Sequence, residues 1–451
     1  MTKRLWDKGN ALDTEVHRFT VGLDHVFDQR LAVFDAVASA AHARMLNRIG
    51  VLESKECSSL LSELQKIAEE SRAGEFSISP DLEDCHTAIE MRLTETLGEA
   101  GKKIHTGRSR NDQVLVALRL FLREELLGHL ELLEDLVSVL TEKAKQELVT
   151  PLPGYTHMQR AMPTTAATQI LSYAEWSQAL VHDGLSLLHS LNWNPLGVGS
   201  GFGVPLELDR DYTSKLLSFE QTQPNPIFVQ STRGREELKF LNWLTDISSL
   251  IEKSALDLLL FSTQEFGFVS IPVEFTTGSS IMPQKRNPDV LELLRAQASR
   301  VRAMRDELQG ILAKLPSSYH RDLQYAKEPL FRCTDEVRRA VTIFTAVFPK
   351  LSFNRERALE MFEGELFATD EAFRLVALGE PFRDAYLHAA EKLKNGEIPV
   401  AELTEAFLAR EKVRCEKELL ELELRRTSIA KVIAGVRDAH ASVCRDIFKE
   451  P

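Results

Sequence analysis

The chain is poor in the residues that would build a covalent or metal-held scaffold. Five cysteines, Cys57, Cys85, Cys333, Cys415 and Cys444, are spread over 451 residues with no Cys-x-x-Cys pair. That spacing excludes a zinc framework and a disulfide-stapled fold, and it fits a reducing cytoplasm. Aromatic residues make up 7 %. No apolar run reaches the length of a membrane span, and residues 1–8 lead into polar sequence without the apolar core of a signal peptide. Basic charge is also lacking: the formal net charge is −12. A nucleic-acid binder needs a clustered basic excess, so this balance argues against such a partner, although a few local cations still suffice for a small anion. There is no His-Glu-x-x-His metal motif and no Walker A loop; the glycine cluster 197–203 runs into Val204-Pro205 rather than a helix and so is a poor dinucleotide fingerprint. No metal or cofactor is expected.

What the chain has is long helical sequence. Hydrophobic residues make up 43 % and charged residues 27 %, enough for a buried core in two to four units. From Asn111 to Val149 there is no proline, and Leu115, Leu118, Leu122, Leu126, Leu130, Leu133, Val137 and Leu140 recur at steps of three and four. This is the apolar stripe of a helix roughly 60 Å long, the longest one expected. Further helices are predicted from a Thr164 cap to Leu191, from Arg235 to Phe266 with a stop at Gly267, from Pro288 to Leu315, and from Pro329 to Phe348. Residues 195–205 read as turns with a short hairpin. The expected class is all-α, in three helical units: 1–105, a central long-helix bundle 106–350 bearing the functional loop, and 351–451. Helices this long with broad apolar faces imply further burial between chains.

Polar clusters fall at the helix junctions. Gly278-Ser279-Ser280-Ile281-Met282-Pro283-Gln284-Lys285-Arg286-Asn287-Pro288 cannot be helix interior, because two prolines interrupt it. It reads as a mobile polar loop whose backbone N–H groups can stabilise an oxyanion and whose Lys285 can pair with a carboxylate; composition alone leaves a solvated linker equally open. His105-Thr106-Gly107-Arg108-Ser109-Arg110-Asn111-Asp112-Gln113 places arginine forks at a helix start, where anions are favoured and where a plain capping segment is the alternative. His157, in the turn Gly154-Tyr155-Thr156-His157-Met158-Gln159-Arg160, has the pKa range of a proton carrier, or is simply a structural histidine. Ser317-Ser318-Tyr319-His320-Arg321-Asp322-Leu323-Gln324-Tyr325-Ala326-Lys327 is a fourth polar connection, and Asp84 with His86 a fifth, weaker one.

Taken together, these segments resemble the aspartase/fumarase superfamily and, within it, the argininosuccinate lyases. The Gly-Ser-Ser-x-Met-Pro-x-Lys-x-Asn-Pro run carries the first resemblance. Gln284, the 105–113 and 153–160 segments, Ala368-Thr369-Asp370 and Pro381-Phe382-Arg383 carry the second. The resemblance spans essentially the whole chain. It implies an all-α homotetramer whose active sites are each assembled from three subunits, and the reversible elimination of fumarate from argininosuccinate to give arginine. It implies Ser279 as general base, His157 as its partner acid or as a base, Glu292 paired with His157, and Lys285 as the cation that helps stabilise the Ser279 alkoxide in a closed loop. Arg110, Asn111, Thr156, Lys285 and Asn287 would hold the fumaryl carboxylates; Tyr319, Gln324 and Lys327 the rest of the substrate; His86 would lie near the site.

Three positions depart from the pattern. Gly22 stands where a serine touching the amino-acid end is usual, Gln230 replaces an aspartate ahead of Arg235-Glu236, and Ile89 replaces an asparagine. Release of fumarate from another N-substituted aspartate therefore stays open. A non-catalytic structural role, as in lens crystallins of this family, is disfavoured because Ser279 and His157 are both present.

Overall fold

A computed structural model describes residues 13–449; the N-terminal octapeptide read above for the absence of a signal lies outside them. The architecture is all-α, with strands confined to four two-stranded ribbons among the described residues.

The central rod is the helix Arg110–Gln146. Its start is fixed by a reciprocal cap: the Ser109 N–H donates to Asp112 Oδ1 (2.8 Å) and the Ser109 hydroxyl accepts from Asn111 N–H (3.3 Å). All eight stripe residues from Leu115 to Leu140 are buried, so the three-and-four periodicity marks the packed face. Ala166–Leu191 packs along this rod, and Arg235–Phe261, Asp289–Leu312 and Lys327–Val347 complete the bundle. Where three of these helices cross, Gly184 leaves no room for a side chain. A Cβ there would sit 2.7 Å from both Leu130 Cδ2 and Trp243 Cζ2.

Helix ends differ from expectation where side chains compete with the backbone. Thr165, not Thr164, caps Ala166–Leu191, accepting from Thr168 N–H at 3.1 Å. Arg235–Phe261 stops five residues before Phe266. There the Ser262 and Thr263 hydroxyls donate back to the carbonyls of Leu259 and Leu260, and Thr263 Oγ1 accepts from Phe266 N–H at 3.3 Å. Asp289–Leu312 ends before Lys314, whose φ is +74°. Pro329 lies in the first turn of Lys327–Val347, where its missing N–H has no partner to lose.

Three features differ outright from the sequence reading. The longest helix is the C-terminal Val400–Asp446, at 47 residues, rather than the 37-residue rod. Residues 151–165 form a hairpin, Pro151–Thr156 paired antiparallel with Gln159–Thr165, where a turn was read. Residues 195–205 hold turns but no hairpin; the adjoining Trp193–Asn194 pairs in parallel with Gln221–Thr222.

One continuous apolar core runs from Leu31 through the long helices to Phe448, with a smaller cluster of Phe362, Leu366, Phe367, Ile398, Phe407 and Leu408 near the C-terminal helices. All five cysteines are buried and free. No helix among the described residues is long and apolar enough to cross a membrane.

Candidate active site

The N-terminus of the Arg110–Gln146 rod opens on a cleft of about 170 Å³. Six of the residues expected at the site line it: His86, Arg110, Asn111, Tyr319, Gln324 and Lys327. Asp24, Glu83 and Arg233 also line it and were not singled out by the sequence: Asp24 stands in an undistinguished segment, Glu83 adjoins Asp84, and Arg233 falls between Gln230 and Arg235.

The cleft's charges are largely paired within the chain. Arg110 Nε lies 2.7 Å from Asp84 Oδ2, and its Nη2 reaches both Asp84 and Glu83. Burial works to raise the Asp84 carboxyl, but His86, Arg110 and the Thr87 N–H outweigh it and hold the group at about 2. Lys327 Nζ is buried 2.5 Å from Asp28 and 2.8 Å from Asp24. Burial alone would lower this ammonium's pKa; the two carboxylates reverse that and push it above the ordinary lysine range. Asp24 moves up, because its own burial exceeds the pull of Lys327. His86 Nδ1 lies 3.1 Å from Asp35 Oδ2, whose charge overcomes burial and raises the imidazole's pKa.

The rod's capping residue also positions a neighbouring turn. Asp112 Oδ2 accepts from the N–H groups of Gly197 and Gly199 at 3.0 and 2.9 Å, so the glycine cluster serves as a tight turn against the helix start. Burial lifts this carboxyl to about 6 against those hydrogen bonds.

The departures from the family pattern have structural places. Gly22 has φ +53° and ψ −130°, a conformation open to glycine and strained for serine. The Gln324 amide donates to the carbonyls of Thr20 (2.9 Å) and Val21 (2.8 Å), the two residues just before Gly22. Gln230 is buried and donates to Gly199 O at 3.2 Å, and Ile89 belongs to the apolar core.

The other candidates lie on two separate pieces, and none of them lines the cleft. Thr156 and His157 are exposed at the tip of the 151–165 hairpin. Thr156 pairs with Gln159, leaving His157 and Met158 as a two-residue turn with φ of +52° and +60°. Both angles lie in the left-handed region where such turns take Asn-Gly. Two side-chain-bearing residues held there store strain, a recurrent mark of a functional tip.

The third piece is the 278–288 loop. Thr277–Gly278 pairs antiparallel with Arg286–Asn287 and closes its base. Ser279 Oγ accepts from the backbone N–H groups of Met282 (3.1 Å) and Ile281 (3.4 Å), and the Lys285 N–H donates to Met282 O at 3.0 Å. Two backbone amides directed at one hydroxyl oxygen form a small N–H cradle around it. Lys285 is exposed, Asn287 is half-buried, and Glu292 is exposed on the first turn of Asp289–Leu312.

A match to the Lyase family spans residues 14–303. The argininosuccinate lyase of Stenotrophomonas maltophilia (strain K279a) is 43 % identical over 394 residues, covering 86 % of this chain and 90 % of that protein. The argininosuccinate lyase of Thermotoga neapolitana is 42 % identical over 402 residues, covering 87 % and 98 %. Among solved structures, an EDDS lyase in complex with formate has a TM-score of 0.76 at 23 % identity, covering 97 % of each chain. A class II fumarase from Schistosoma mansoni has a TM-score of 0.71 at 16 % identity, covering 85 % of this chain and 94 % of that one. The two structural matches establish a shared fold, and the two sequence matches establish kinship: the chain belongs to the argininosuccinate lyase family.

Proposed function

We propose that the protein eliminates fumarate from argininosuccinate to release arginine, reversibly, with Ser279 as the base. The observation that carries this reading is the 42–43 % identity to argininosuccinate lyases along most of the chain. The cleft agrees with it. It presents cations (Arg110, Arg233, Lys327) beside acids (Asp24, Glu83, Asp84), as a substrate with both carboxylates and a guanidinium requires.

In this mechanism Ser279 takes the proton from the carbon β to the leaving nitrogen. The electron pair passes into the adjacent carboxylate as an aci-carboxylate, held by Lys285, Asn287, Arg110, Asn111 and Thr156. The C–N bond then breaks, and the departing guanidine takes its proton from His157, oriented by Glu292. Tyr319, Gln324 and Lys327 hold the amino-acid half, with His86 behind them. Cationic and N–H donors suffice to stabilise the carbanion, so no metal or cofactor enters the proposal.

We further propose a cytoplasmic homotetramer with each site assembled from three subunits, and the division into units 1–105, 106–350 and 351–451. Two observations support the assembly. The cleft, the hairpin tip and the loop are separate pieces of one chain. The long helices also leave large apolar side chains exposed, including Leu293, Leu420 and Leu424. The acidic net charge speaks against a nucleic-acid partner.

A second reading, release of fumarate from another N-substituted aspartate, is favoured by one observation: Gly22 offers no side chain to the amino-acid end. A panel of N-substituted aspartates, followed by fumarate absorbance, separates the two. Highest kcat/KM for argininosuccinate supports the first reading; preference for another substrate by more than tenfold replaces it with the second.

A further inference from the structure

Arg233 lies in the turn between the helices Pro226–Ser231 and Arg235–Phe261, and its side chain forms part of the cleft wall. It is only 9 % exposed. Its guanidinium carbon sits 4.9 Å from the centroid of the Tyr319 ring, close enough for a cation–π contact. A buried guanidinium ordinarily also finds a carboxylate, because an uncompensated buried charge is costly. Here Nη1 is buried without a hydrogen-bond partner, and among the described residues no acidic oxygen lies within ion-pair distance of Arg233. Burial accordingly lowers its pKa, and Tyr319, Glu237, Asp24 and Asp28 oppose the shift without reversing it.

The cleft's other buried or half-buried cations are already engaged. Arg110 is held by Asp84 and Glu83, and Lys327 by Asp24 and Asp28. Arg321 is exposed and donates to Thr20 O at 2.7 Å. Arg233 is thus a desolvated fork beside an aromatic ring, with a donor to spare.

Its placement indicates which part of the substrate it meets. Tyr319 and Gln324 form the side assigned above to the amino-acid half. On that side Gly22 has no side chain, and the Gln324 amide is occupied by the carbonyls of Thr20 and Val21. Beside the Tyr319 hydroxyl and the exposed Arg321, Arg233 is the buried cation on that side with no acid partner among the described residues.

We infer that Arg233 is the subsite for the carboxylate of the amino-acid half, the group that departs on arginine. The inference rests on the reaction proposed above. The planar fork matches a carboxylate in a bidentate pair, and the dry setting strengthens that pair relative to one at the surface.

Product inhibition tests this in the full-length enzyme. Arginine, its decarboxylated analogue agmatine, and fumarate are compared as inhibitors of argininosuccinate cleavage by the wild type, Arg233→Lys and Arg233→Gln. The wild type is expected to bind arginine about 10- to 100-fold more tightly than agmatine, the range for a charge-assisted hydrogen-bonded pair. Arg233→Gln brings that ratio close to one while inhibition by fumarate is unchanged. Arg233→Lys, which keeps the charge and loses the fork, falls between and serves if the glutamine variant does not fold. Equal inhibition of the wild type by arginine and agmatine overturns the inference. So does a preference that survives in Arg233→Lys and Arg233→Gln, or a parallel loss for arginine and fumarate. A wild type that releases no fumarate from argininosuccinate instead overturns the reaction reading, and the inference with it.

Discussion

Replacing Lys327 by methionine removes the ammonium from between two carboxylates and leaves the packing volume nearly intact. Asp28 is fully buried, and apart from Lys327 it accepts from the Cys85 N–H at 3.2 Å. Breaking one side of a buried ion pair costs about 3–5 kcal/mol. The variant can limit that cost by protonating a carboxyl. Starting from the ordinary aspartate value of 3.8, protonation at pH 7 costs about 4.4 kcal/mol and at pH 5 about 1.6 kcal/mol. The deficit should therefore be about 3–4 kcal/mol at neutral pH and fall below about 2 kcal/mol at pH 5. The direction follows from linkage. A carboxyl whose folded pKa is raised is harmless below its unfolded value and destabilises progressively as pH rises through the folded one. Lys327 itself does not blur the comparison. Its folded pKa lies above the ordinary 10.5, so its contribution is complete below that value and is lost only at still higher pH. Urea denaturation followed by circular dichroism, at fixed protein concentration and at both pH values, measures the difference. Adding Asp28→Asn to Lys327→Met should recover part of the loss at pH 7. A Lys327→Met protein as stable as the wild type at pH 7, or equally destabilised at both pH values, would refute the reasoning.

Two further perturbations address the separate pieces of the site. Changing His157→Asn and Met158→Gly together gives the hairpin the residues its left-handed turn favours, so stability should rise by about 1–2 kcal/mol while turnover collapses; thermal denaturation and the fumarate assay read the two effects, and a fall in stability would contradict the strain argument. Ser279→Ala and Arg110→Ala subunits, each inactive alone, should regain part of the wild-type rate when unfolded and refolded together, because a mixed assembly can combine an intact loop with an intact cleft. Mixtures that stay inactive while forming mixed tetramers, as seen by native mass spectrometry, would argue against shared sites.

The features legible in the sequence were those set by local periodicity and by dense polar motifs. The Leu115–Leu140 stripe marked the rod because burial on one helix face repeats every three to four residues, and the 278–288 loop announced itself through its prolines. The hairpin at 151–165 was not legible. Prolines at 151, 153 and 163 break the alternation of a strand, yet they are tolerated because each strand of a two-stranded ribbon has a free edge. Helix ends such as Phe261 were displaced by hydroxyl-to-carbonyl bonds whose competition with the helix is visible only in the folded chain. In the cleft, Arg110, Asn111 and Tyr319 stood in recognisable motifs. Asp24, Glu83 and Arg233 did not, since what distinguishes them is the neighbours that folding brings from distant segments. Lys327 was expected on the substrate, and in the folded chain it is also the counter-ion of Asp24 and Asp28.

The most direct test of the central claim is a side-by-side time course of wild type and Ser279→Ala on argininosuccinate, following fumarate by its ultraviolet absorbance and arginine by amino-acid analysis. The account predicts equal amounts of fumarate and arginine from the wild type, and a folded Ser279→Ala protein whose rate is lower by about 10²–10⁴-fold, the usual contribution of a positioned base. No fumarate from the folded wild type, or near-normal turnover by Ser279→Ala, would contradict it.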